Sequence, residues 1–208
     1  MALLVVLVII IVSMVLHELA HGWVAYLLGD MTAKYEGRLT PNPIKHLDPF
    51  MSVVLPMMLA IMGGPIFGGA KPVPINTRNL KWREWGFALV ALAGPITNLL
   101  LAFIGFLVGY GMGLFADDGG FWGSVMVTFV LTNLGFFVFN MIPLPPLDGS
   151  RVLYVLAPDF VRRVMMQMER YGILVVMALV MIFGSALSGF MSGVIINILR
   201  GFEWIVGA

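Results

Sequence analysis

The sequence predicts an all-α polytopic membrane protein: about four transmembrane helices plus a re-entrant hairpin, with a short β element at the cytoplasmic membrane surface. Three observations carry that prediction. Of the 208 residues, 60% are hydrophobic. Only 11% are charged, against about 25% in an ordinary soluble domain. The apolar residues also gather into runs close to or above the roughly 20 that a spanning helix needs. A single domain over residues 1–208 is expected. Twelve bases against eleven acids leave a formal net charge of +1, which provides no field for holding nucleic acid. The absence of cysteine excludes disulfides, thiolate catalysis, iron–sulfur clusters and thiolate zinc sites. Any metal must be held by His, Asp or Glu.

The first run, residues 2–28, carries His17, Glu18 and His21 and no Lys, Arg or Asp. With no basic segment ahead of it and no clear small-residue cleavage site, it is expected to be a spanning helix and not a signal peptide. Residues 31–40, containing Thr32, Tyr35, Gly37 and Leu39, are expected to form a short hairpin or edge strand. Residues 50–69 are interrupted by Pro56, Gly63, Gly64 and Pro65 and are barely long enough to cross. Spans at 86–114, 121–142 and 172–190 follow. In 159–170, Phe160, Val161, Val164, Met165 and Met168 share one helical face, which suits a helix lying in the membrane interface. Residues 192–206, with Arg200 and Glu203, form a further amphipathic run. The sixteen methionines suit gap-filling between helices.

Charge sidedness selects the topology. Cytoplasmic loops accumulate Lys and Arg. Lys34, Arg38 and Lys45 precede the 50–69 segment, and Lys71, Arg78, Lys81 and Arg83 follow it. If that segment enters and leaves by one face, Asp117 and Asp118 fall outside while Arg151, Arg162, Arg163 and Arg170 fall inside. Eleven of the twelve bases then share the cytoplasmic side. The expectation is a re-entrant hairpin, four true crossings and an external N-terminus.

His17-Glu18-Leu19-Ala20-His21 reads HExxH, which on a helix stacks both imidazoles one turn apart with a carboxylate beside the first. This composition would produce the pattern by chance about 0.002 times. The bland reading is a polar cluster tying helices together. Against it, an ionisable group inside a membrane segment costs roughly 2.5–3.5 kcal/mol even on lenient scales. A catalytic zinc needs a third protein ligand and an open position. Asp148 stands out, ending the proline-broken stretch from Asn140 to Gly149. His46 is the rival, and its ordinary reading is a solvated or interface histidine. A full crossing by 50–69 would leave Asp148 roughly 25 Å from the histidines; a re-entrant hairpin brings both to one face.

HELAH in the first span, together with the LDG at 147–149, resembles the site-2 protease family of intramembrane zinc metalloproteases. The Ala93-Gly94-Pro95-Ile96-Thr97-Asn98 turn and the Gly69-Ala70-Lys71-Pro72-Val73-Pro74 stretch extend the likeness, which is greatest to small bacterial and archaeal members without a PDZ or CBS domain. The resemblance implies His17, His21 and Asp148 as ligands of one Zn2+ per chain and Glu18 as catalytic acid/base. It also implies cleavage of transmembrane segments of other membrane proteins, from a site in the cell membrane near its cytoplasmic face.

Amide hydrolysis develops an oxyanion, and Asn140 and Asn98 are the neutral donors available for oxyanion or substrate binding. Interhelical bonding or capping is the alternative for both. A helical substrate must unwind before attack; the 31–40 or 71–77 stretch is a candidate for pairing with it, and the 50–69 hairpin for gating lateral access. The competing function is a membrane zinc-binding or zinc-transport protein. Transport would need acids or histidines on several helices, and Glu18 would be superfluous.

Overall fold

The computed structural model describes residues 2–49, 54, 57, 58, 61, 69–116 and 120–207. Among them the element order is α1 (Ala2–Leu27), α2 (Thr32–Tyr35), a 3-10 turn (Pro43–Lys45), α3 (Arg83–Gly111), α4 (Gly120–Asn140), α5 (Gly149–Leu156), α6 (Asp159–Arg170) and α7 (Gly172–Val206). Helices α1, α3, α4 and α7 are long and apolar enough to cross a membrane. Leu4, Val8, Leu100, Ile104 and Leu131 on their outer faces are exposed, as lipid-facing side chains are.

Two apolar clusters fix the bundle. Ala25 near the end of α1 packs with Leu80 and with Val90 in the first half of α3. Farther along α3, Ala102 and Phe106 pack with Val130 and Leu134 of α4 and with Phe202 near the end of α7. Helices α5 and α6 lie across the N-terminal end of α3. Arg162 caps α5 by donating to the Val155 and Ala157 carbonyls at 2.8 Å each. The same guanidinium pairs with Glu84 at 3.1 Å, and Arg151 pairs with Glu169.

Three expectations need correction or fall elsewhere. The 31–40 stretch is not β: it opens with the single helical turn α2, and among the described residues no strand forms. The cause is local, since the Asp30 carboxylate accepts from both the Thr32 N–H (3.1 Å) and its hydroxyl (2.5 Å), an Asx-type turn that competes with a strand ladder. An isolated antiparallel bridge, Leu47 to Ala70, occurs instead. Residues 192–206 are no separate element but the second half of α7, whose 35 residues extend about 52 Å. The re-entrant hairpin expected at 50–69 lies almost wholly outside the described residues, as does the Asp117–Asp118 loop.

Candidate metal centre

Helix α1 presents His17 and His21 one turn apart, both buried. Their Nε2 atoms stand 3.0 Å from each other. Asp148, immediately before α5, places Oδ2 at 3.2 Å from His17 Nε2 and 3.4 Å from His21 Nε2. A turn of the chain brings it there. Gly149 packs so closely on the Met141 and Ile142 carbonyls that a Cβ would collide with both, so the return from α4 into α5 requires glycine.

The outer nitrogens of the imidazoles fix their tautomers. His17 Nδ1 donates to Asn98 Oδ1 at 2.6 Å, and His21 Nδ1 donates to the Val90 carbonyl at 2.7 Å. Both partners are oxygens that can only accept, so in the neutral rings each Nε2 is a lone pair. Two lone pairs at 3.0 Å, facing a carboxylate, repel unless a cation or proton lies among them. Tetrahedral zinc with ligands at about 2.0–2.1 Å keeps those ligands about 3.3 Å apart, and the three separations bracket that value. Among the described residues these three form a group able to hold a metal ion. Space is reserved as well: a Cβ on Gly94 of α3 would strike the Nε2 atoms of both histidines. Burial alone would raise the Asp148 carboxyl, but positive charge shared with the facing imidazoles, a proton in the metal-free site, holds it at about 2, and a metal cation among the three groups would favour the ionised form in the same way.

Glu18 is half-buried on the neighbouring face of α1 and accepts the Val73 N–H at 3.0 Å, which places the 71–77 strap over the carboxylate. Asn98 joins the centre from behind. Its Nδ2 donates to Asn133 Oδ1 at 2.9 Å and reaches the Ser13 carbonyl at 3.4 Å, so its amide hydrogens are committed and its oxygen orients His17. Asn140 donates to the Phe136 carbonyl one turn back at 3.0 Å. His46 is neither solvated nor a ligand in this cluster. It is fully buried, and its Nε2 donates to the Thr40 carbonyl at 2.8 Å.

Three comparisons with known proteins bear on this centre. The Bacillus subtilis protein named "Putative zinc metalloprotease YwhC" is 45% identical over 175 residues, covering 82% of this chain and 77% of that protein. The chain belongs to this zinc metalloprotease family. "Putative zinc metalloprotease Rip2" of Mycolicibacterium smegmatis is 31% identical, over 81% of this chain and 63% of its own length. "Putative zinc metalloprotease MJ0611" of Methanocaldococcus jannaschii is 32% identical over 67% of this chain. No protein-family profile matches the chain, and no solved structure does.

In this metalloprotease two further polar residues, Ser13 and Asn133, join the centre without belonging to any motif. Asn133 Nδ2 donates to Ser13 Oγ and to the Phe129 carbonyl, each at 2.9 Å, completing a buried neutral network behind His17. A polar residue one turn before His17 and an Asn within a spanning helix both need hydrogen-bond partners inside the bundle.

Proposed function

We propose that this protein is an intramembrane zinc endopeptidase of the site-2 type, hydrolysing peptide bonds within or near transmembrane segments of other membrane proteins. One observation carries the reading. Two imidazole lone pairs and an ionised carboxylate converge at zinc-ligand separations beside Glu18, on a helix of spanning length and composition. A zinc ion held there supplies polarisation of a carbonyl and acidification of water. His17, His21 and Asp148 would hold the ion, and Asn98 and the Val90 carbonyl keep the two rings aimed. Glu18 takes the proton of the attacking water and delivers it to the departing amine. The Val73 N–H keeps that carboxylate from swinging away.

Asp148 is proposed to face the cytoplasmic side, where the bases concentrate, so water reaches the site from that face. The substrate must be locally unwound, because a helix withholds its amides; helix-breaking residues in the target lower that cost. The site is best tested with protein reconstituted in vesicles with a model transmembrane substrate, wild type against Glu18→Gln. Loss of a positioned acid/base slows cleavage about 10²–10⁴-fold. Equal cleavage by both proteins refutes the assignment, and zinc passage without cleavage by either establishes the transport alternative.

A further inference from the structure

Asp30 has no part in the metal centre, yet it is 0% exposed. A carboxylate taken out of water is costly unless its oxygens are satisfied, and here they collect four donors. Oδ1 accepts the Thr32 N–H and hydroxyl and the Asn79 side-chain amide at 3.1 Å. Oδ2 accepts the Asn76 N–H at 2.7 Å. Asp30 is itself fixed to the end of α1, its N–H donating to the Ala25 carbonyl at 2.9 Å. The helix that bears HExxH is thereby joined to a segment more than forty residues farther along the chain.

That segment is the strap over Glu18. At its other end Lys71 is held twice, its N–H on the His46 carbonyl at 2.8 Å and its carbonyl on the Arg38 guanidinium at 2.6 Å. Between Lys71 and Asn76 lie only Pro72, Val73, Pro74 and Ile75. The prolines fix their own φ and carry no N–H. The strap is thus a short, stiff bar, pinned at both ends, and Val73 is its donor to Glu18.

We infer that Asp30 is a positioning residue: it pins the strap so that the Val73 N–H is held on the Glu18 carboxylate. The catalytic part of this inference rests on the reading of Glu18 as acid/base; the pinning does not. Bonds from Thr32, Asn76 and Asn79 also hold the Asp30 carboxyl below its ordinary value although burial alone would raise it, as a carboxylate that stays ionised among donors requires.

Asp30→Asn keeps the shape but turns one acceptor into a donor facing donors. The test is amide hydrogen exchange, which reads the strap whether or not the protein cleaves anything. Residues 71–75 hold only three exchangeable amides, at Lys71, Val73 and Ile75, so the Val73 signal is readily separated. In zinc-loaded Asp30→Asn, Val73 should exchange at least about tenfold faster. Bound zinc should stay at the wild-type level, and kcat on a membrane substrate should fall about tenfold with KM within about twofold. If Asp30→Asn does not fold, Asn79→Ala removes one donor and should give about a threefold effect on exchange. Unchanged Val73 exchange in a folded variant overturns the inference, as does activity lost only in step with zinc. Should wild type cleave nothing while Val73 exchange still responds, the acid/base reading fails and the pinning stands. Glu18-dependent cleavage with an unresponsive Val73 overturns the pinning and leaves the acid/base reading intact.

Discussion

Two buried polar networks support helix α1, and they are built differently. Behind His17, inside the apolar span, Ser13, Asn98 and Asn133 form a neutral network of hydroxyl and amides, all fully buried. Beyond the end of the helix, Asp30 gathers Thr32, Asn76 and Asn79 around an ionised carboxylate. Surroundings account for the difference. A spare charge within hydrocarbon costs at least roughly 2.5–3.5 kcal/mol, so the network there is neutral, and its amides satisfy one another while leaving one oxygen for the ligand histidine. Outside the span a carboxylate is tolerable once four donors reach it, and in return it links two distant segments. The neutral network ends on His17, a proposed metal ligand, and the charged one, through the strap, on Glu18. Retention of metal and rate of chemistry should therefore be separable by mutation.

The largest effects should come from removing the centre that both networks serve. Asp148→Asn deletes the charged ligand, and bound zinc, measured by elemental analysis after dialysis, should fall from about one per chain to about a tenth or less. Gly94→Ala should do as much without touching a ligand, because its methyl group occupies space against both Nε2 atoms. Normal zinc content in Gly94→Ala would mean that the metal lies on another side of the rings. Next comes the neutral network. Asn98→Ala frees His17 to rotate and to change tautomer, and should weaken zinc about 10–100-fold. Asn133→Ala acts one bond farther away and should cost about threefold. If Asp30→Asn weakens zinc as much as Asn98→Ala does, the division between the two networks is wrong.

Much of this was legible in the sequence, for the same reason that the networks differ. Glu18 and Asp148 stand out because charge beside apolar helices needs a cause, and the four spans stand out because length and composition are enough to show them. Tertiary pairing was not legible. Thr32 looked β-prone until Asp30 captured its N–H and hydroxyl. His46 looked like a surface histidine because its neighbours Lys45 and Asp48 are charged, yet the chain folds over it and its ring turns to Thr40. Residues 192–206 looked separate because Arg200 and Glu203 interrupt the apolar pattern, while packing of Phe202 on Phe106 and Phe103 continues the helix. The Asp30 network was hidden most deeply, since nothing at 30, 76 or 79 marks those residues as neighbours.

The smallest expected effect isolates the charge itself. The Asp30 carboxyl is held below its ordinary value of 3.8 in the fold, so the native state binds that proton less readily than the unfolded chain. The stability it contributes is complete above the ordinary value and is lost as pH falls through the lower, folded one. Asp30→Asn has no such proton. The Tm difference between wild type and Asp30→Asn, measured in detergent on metal-free protein so that zinc release does not enter, should be widest near about pH 6 and should narrow below about pH 4. Asp148, also depressed, is common to both proteins and largely cancels. A gap that stays constant to about pH 3 would show that the shape of the side chain, and not its charge, holds the strap in place.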